Sequence, residues 1–147
     1  MKKILYCFGA IALLSACTQK TENKDAITVS NTNQTDFSGL YNYQQNGDTI
    51  TLQLTVDGTK ANGNLLYALN EKDRNSGSFI GEIKDGVLLA DYTFSSEGIL
   101  SERQIAFKLT DTSAVEGYGD VQEINGKMMF KDAANLEYGT GLVLTKK

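Results

Sequence analysis

Arg103 sits where an ionisable side chain is least expected. In the run Arg103, Ile105, Phe107 and Leu109, alternate positions share one face, and the other three members of that face are apolar. A charged group is rarely buried without a partner, because desolvating it alone is costly. Two partners are open. A guanidinium inside a β-structure can grip a ligand carboxylate through paired hydrogen bonds. Alternatively it lies near a strand end and pairs at the rim with Glu97, Glu102 or Glu116. Tyr67 and Tyr92, also at inward positions, join Arg103 as candidate ligand-binding residues. They belong to a wider aromatic set with Tyr41, Tyr43, Phe79, Phe94 and Phe107. Such a set either lines a cavity or simply fills the core of a small barrel.

Two other clusters contain chemistry-bearing groups. Glu71, Asp73 and Asn75, with Glu82 eleven positions after Glu71, partly match the ligand spacing of an EF-hand loop. Ser76 occupies the position where that loop turns on glycine, and Lys72 and Arg74 offset the local negative charge, so a solvated hairpin loop is expected and no metal site. Ser95, Ser96, Glu97 and Gly98, followed by Ser101 and Glu102, place hydroxyls and carboxylates together, which is also what a tight turn requires.

Composition removes most catalytic chemistry. The 147-residue chain has no histidine, proline or tryptophan, and its two cysteines are Cys7 and Cys17. Nucleophilic systems that depend on a histidine base are therefore absent, and so are the usual Cys/His zinc sites. No catalytic residues, no cofactor and no enzymatic activity are expected.

The elements that would position Arg103 read as strands. Ile50, Leu52, Leu54 and Val56 alternate with polar residues, and Asp57-Gly58 then turns the chain into Ala61, Gly63, Leu65, Tyr67 and Leu69. Phe79, Gly81 and Ile83 continue the pattern. Lys84-Asp85-Gly86 precedes Leu88, Ala90, Tyr92 and Phe94, and the Arg103 run follows. Tyr41 and Tyr43 mark a first strand. Weaker ones are marked by Val115 with Gly117 and Gly119, by Met128 with Phe130, and by Leu142 with Leu144. Nine strand candidates about ten residues apart predict an all-β antiparallel meander. A closed lipocalin-like barrel is favoured over a two-sheet sandwich, since closure removes exposed edges and Gly63, Gly81, Gly117 and Gly119 would supply bends. Only residues 132–138 have the makings of a short helical turn.

The N-terminus is of another kind. Lys2 and Lys3 precede an apolar run from Ile4 to Leu14, too short to span a bilayer but suited to an exported signal peptide. Leu14-Ser15-Ala16-Cys17 then resembles the lipobox of bacterial lipoproteins. That resemblance implies a diacylglyceryl group on the Cys17 sulfur, cleavage before Cys17 (removing residues 1–16), acylation of the new amine, and a stable membrane anchor. Thr18 stands where an aspartate would signal inner-membrane retention in the enterobacterial pattern, which implies the outer membrane, on either face. The lipobox resemblance covers only the first 17 residues. A generic likeness to small lipoproteins, especially of Bacteroidetes, is compatible with a ligand-binding and a protein-binding function alike, and Asp48-Thr49-Ile50 resembles their O-glycosylation motif.

Residues 17–36 follow as the lipidated cysteine and a polar tether, lacking the apolar surface to offset ordering. As a random coil the 19 residues after Cys17 span roughly 22–26 Å. The β domain is expected over 37–147. Without Lys2 and Lys3, twelve basic and eighteen acidic residues remain, a net charge of −6 that disfavours nucleic acid as a partner. The expected function is therefore a lipid-anchored envelope protein whose barrel binds a small apolar or acidic ligand. The alternative is a protein-binding envelope factor, such as an enzyme inhibitor or an accessory subunit of an outer-membrane assembly.

Overall fold

A computed structural model describes residues 35–139 and 142–147. The signal segment, Cys17 and nearly all of the tether lie outside the described residues.

Ten strands are present among them: β1 (Gly39–Gln45), β2 (Asp48–Asp57), β3 (Lys60–Ala68), β4 (Asn75–Lys84), β5 (Val87–Ser96), β6 (Ile99–Leu109), β7 (Ser113–Glu116), β8 (Val121–Ile124), β9 (Lys127–Phe130) and β10 (Val143–Lys146). Strands β1 to β7 form an antiparallel meander, and β10 pairs with both β7 and β1. The result is a closed eight-stranded antiparallel barrel. Strands β8 and β9 form a hairpin outside the ring, and β9 lies parallel to β6 through Glu102–Lys127 and Arg103–Met128.

Closure follows from the period-two pattern. Ile50, Leu52 and Leu54 of β2, Leu65 and Tyr67 of β3, Phe79 of β4, Leu88 and Tyr92 of β5, and Ile105 and Phe107 of β6 are all buried in one core. A sheet with one apolar face removes most water from that face by rolling up. The hairpins are tight. Asn46-Gly47, Asp85-Gly86, Glu97-Gly98 and Asn125-Gly126 each have positive φ at both residues, the conformation that follows the right-handed twist of paired strands. Curvature has its own requirement at Gly63, where a Cβ would meet Gln53 O at 1.8 Å and Phe79 Cζ at 2.9 Å. The Phe79 ring occupies the space a side chain would need.

The two ends of the barrel differ. The chain enters β1 at the end formed by the β2–β3, β4–β5 and β6–β7 turns. Tyr41, fully buried, closes this end, its hydroxyl donating to Phe37 O at 2.7 Å, with Lys146 Nζ 5.6 Å from the ring centroid. The opposite end carries the β1–β2 and β5–β6 turns and the β3–β4 loop.

Two expectations are corrected. In the strand marked by Val115, the inward residues are Ala114 and Glu116, while Val115 pairs with Lys108 and Val143 on the outer face. The apolar pattern does not mark this phase, because the inward Glu116 is polar, yet it is only 8% exposed. Gly117 and Gly119 lie beyond the strand; a Cβ on either would meet Tyr138 or Leu136 at 2.6 Å. The second correction concerns residues 132–138, which hold turns and a bridge between Tyr118 and Glu137 in place of a helical turn. Strand β8 was not foreseen, since all four of its residues are exposed and it has no one-sided apolar pattern.

Candidate functional site

Arg103 points inward, opposite Tyr92 in the β5–β6 register. Its Cζ lies 5.0 Å from the ring centroid of Tyr67, 5.4 Å from that of Phe94 and 5.7 Å from that of Tyr92. Tyr92 and Phe94 stack on each other at 4.9 Å and 13°, and Tyr67 meets Tyr92 at 6.2 Å and 58°. Three aromatic rings thus flank the cation, an attractive arrangement for a guanidinium. β4 contributes Gly77 between Leu65 and Phe94, and the Tyr92 hydroxyl reaches past it to Leu65 O at 2.8 Å.

No ion pair and no hydrogen bond from this guanidinium reaches another described residue, and its Nε is fully buried without a partner. Rim pairing with Glu97, Glu102 or Glu116 is therefore not formed among the described residues. Glu97 is at the β5–β6 turn, and Glu102 lies on the outer face beside Lys127. Glu116 comes nearest in role. Its Oε1 accepts from the Tyr67 hydroxyl at 2.6 Å and its Oε2 from the Tyr118 hydroxyl at 2.9 Å. Burial holds the Tyr67 and Tyr118 hydroxyls well above the usual tyrosine pKa, with the Glu116 charge adding to it. Burial likewise pushes Tyr92 up to about 12, partly opposed by Arg103. These phenols stay protonated and act as donors across the ordinary pH range.

Above this floor opens a cavity of about 670 Å³, within the span of small-molecule sites. Arg103, Glu116, Tyr67, Tyr118 and Phe94 form its inner wall, and Glu71, Lys72, Asp73 and Asn75 of the β3–β4 loop form its lip. The opening is at the end opposite to that where the chain enters β1. Chemically, the site sets a guanidinium without an anionic partner among the described residues beside a carboxylate that accepts from two phenol hydroxyls.

Of the three sequence candidates, the structure brings Arg103 and Tyr67 to the cavity. Tyr92 does not line it; its ring supports the guanidinium from below, and its hydroxyl is used by the backbone. Sequence reasoning missed Glu116 as a member of the floor, and Tyr118 altogether. Alternation from Ala114 to Glu116 could have indicated the first. Tyr118 lies beyond the strand, so periodicity carried no signal for it. Glu71 and Glu82 do not come together, since Glu82 pairs opposite Lys60 and Leu89 toward the other end of β4. Among the described residues no group of three carboxylate, histidine or cysteine side chains could hold a metal ion.

No family model, curated protein or solved structure matches this chain.

Proposed function

We propose that this protein is a lipid-anchored envelope lipoprotein whose barrel binds a small acidic ligand, a carboxylate or similar anion carrying an apolar portion. One observation carries the binding part of this reading: a guanidinium in the cavity wall with aromatic faces around it and no anionic partner among the described residues. The buried Nε is left unsatisfied, at a cost on the order of 1–3 kcal/mol, and an anion entering the cavity would supply the guanidinium with the counter-charge it lacks. Carboxylate is favoured because it matches the planar fork of the guanidinium with two parallel hydrogen bonds. Lys72 at the lip offsets part of the negative charge that Glu71 and Asp73 place on the route in.

The anchor part rests on Leu14-Ser15-Ala16-Cys17. With the lipid on Cys17, the polar tether would hold the barrel within reach of the membrane surface.

A second reading, a protein-binding surface, is favoured by Ile99 and Leu100. They are 68% and 73% exposed beside the β5–β6 turn, at the cavity end of the barrel.

Isothermal titration of the purified protein with an aliphatic carboxylate and with its neutral amide tests the binding reading. The carboxylate should bind and the amide should not, and Arg103→Met should abolish the difference. Equal binding of acid and amide, or equal binding by Arg103→Met, would overturn it.

A further inference from the structure

The barrel wall is split beside Arg103. Strands β6 and β7 pair only from Phe107–Glu116 to Leu109–Ala114. One further bond, Gly117 N to Ala106 O at 2.9 Å, is the last before the two chains part. The chain after Gly117 turns away to its bridge between Tyr118 and Glu137. The freed edge of β6 is taken by β9, whose Phe130 N donates to Gln104 Oε1 at 3.1 Å. An ion pair between Lys127 and Asp91 fastens the β8–β9 hairpin to the outside of the barrel.

Between the parted chains and this hairpin lies a second cavity, of about 330 Å³. It shares Arg103, Glu116 and Tyr118 with the first, so these three residues form a wall common to both. Beyond that shared wall the lining changes character. Ile105 comes from the barrel, and Val121, Met128 and Phe130 from one face of the hairpin, where Val121 opposes Phe130. Val121 is still 44% exposed and Met128 38%, so the slot has apolar walls that the protein's own side chains leave partly uncovered.

We propose that this slot is the second half of the ligand site. It takes the hydrocarbon part of a single-chain carboxylic acid whose carboxylate rests on Arg103. The proposal rests on the binding reading above and deepens it from an acidic ligand to an acidic amphiphile. The polarity order of the walls supports it: the cation at the shared wall, beside Glu116 and the phenols that donate to it, then aliphatic and aromatic surface over a length of slot open to the side. A ligand that was only an anion would leave Val121 and Met128 uncovered, whereas one that was only apolar would leave Arg103 without a counter-charge.

A titration series with straight-chain carboxylates from acetate to decanoate, each below its micelle concentration, tests it on the unaltered protein. Affinity should rise roughly two- to fourfold per added methylene until the slot is filled, then level off. Val121→Asn and Met128→Asn, each checked for an unchanged circular dichroism spectrum, should flatten that rise. Arg103-dependent binding that is independent of chain length would overturn the slot while leaving the acidic-ligand reading intact. A length dependence that persists in both hairpin variants would place the hydrocarbon elsewhere and also overturn it. Failure of every acid to bind would remove the underlying reading, and the slot with it.

Discussion

Arg103 and Glu116 share the wall of one cavity, yet the guanidinium and the carboxylate do not pair. Glu116 is held by the hydroxyls of Tyr67 and Tyr118 at 2.6 and 2.9 Å, and Arg103 by the faces of Tyr67, Tyr92 and Phe94. Tyr67 serves both, its ring to the cation and its hydroxyl to the anion. Opposite charges are thus kept apart by aromatic side chains that satisfy each of them partly. The positive one is left with hydrogen-bonding capacity for something else.

That separation makes the effect of Glu116 on an anionic ligand repulsive. Glu116→Gln removes a negative charge from the cavity wall, and affinity for a carboxylate should rise by roughly three- to tenfold. The same change forces one tyrosine hydroxyl to face an amide, at a stability cost of about 1 kcal/mol. Titration calorimetry and thermal melting read the two effects separately. Weaker carboxylate binding in Glu116→Gln would mean that Glu116 contacts a donor group of the ligand.

Gly63 should be intolerant of any side chain. The contacts a Cβ would make with Gln53 O and Phe79 Cζ force the β2–β3 pair apart or the Phe79 ring out of place. Gly63→Ala should cost at least the 1–3 kcal/mol typical of overpacking, read as a lower denaturant midpoint. A change within about 0.5 kcal/mol would show that the barrel wall relaxes there more freely than its packing implies.

Alkaline pH should unfold the protein. Tyr67, Tyr92 and Tyr118 have raised pKa values in the folded state, Tyr92 about 12. An unfolded tyrosine gives up its proton near 10, so above that pH the unfolded chain binds fewer protons and gains stability relative to the folded one. Their contribution to stability is complete below pH 10 and is lost as pH rises through 12. Melting temperatures should therefore be flat from pH 7 to 9 and fall steeply between 10 and 12, with phenolate absorbance from the buried rings appearing together with unfolding. Phenolate signals from all tyrosines at constant ellipticity would contradict the burial of Tyr67 and Tyr92.

Cys17 has a separate test. Cys17→Ser should move the protein from the detergent-extracted membrane fraction to the soluble fraction, or stall its processing. A lipid-modified product from that variant would refute the anchor.

Much of the barrel could be read from the chain, and the reason is local. Strands β2, β3 and β5 bury every second residue over most of their length, and the β1–β2, β4–β5 and β5–β6 turns place glycine after a residue with positive φ, such as Asn46 or Asp85. Period two therefore placed Arg103, Tyr67 and Tyr92 on the inner face. What periodicity could not place was anything held by partners distant in sequence. Glu116 is inward because two tyrosines, 49 residues before it and 2 after, satisfy its oxygens. The hairpin of β8 and β9 exists because β7 is short and leaves an edge of β6 to be covered. Tyr92 was legible as inward but not as a support, because its role depends on a carbonyl two strands away.

That Arg103 holds an acidic ligand is tested most directly by native mass spectrometry of the protein purified from the cells that make it. The spectrum should show a bound small anion, released on denaturation, identified in negative-ion mode as a carboxylic acid, and missing from Arg103→Met although that variant folds. A wild-type protein that carries no small molecule and takes up none from a mixture of aliphatic acids would contradict it, as would a ligand retained by Arg103→Met.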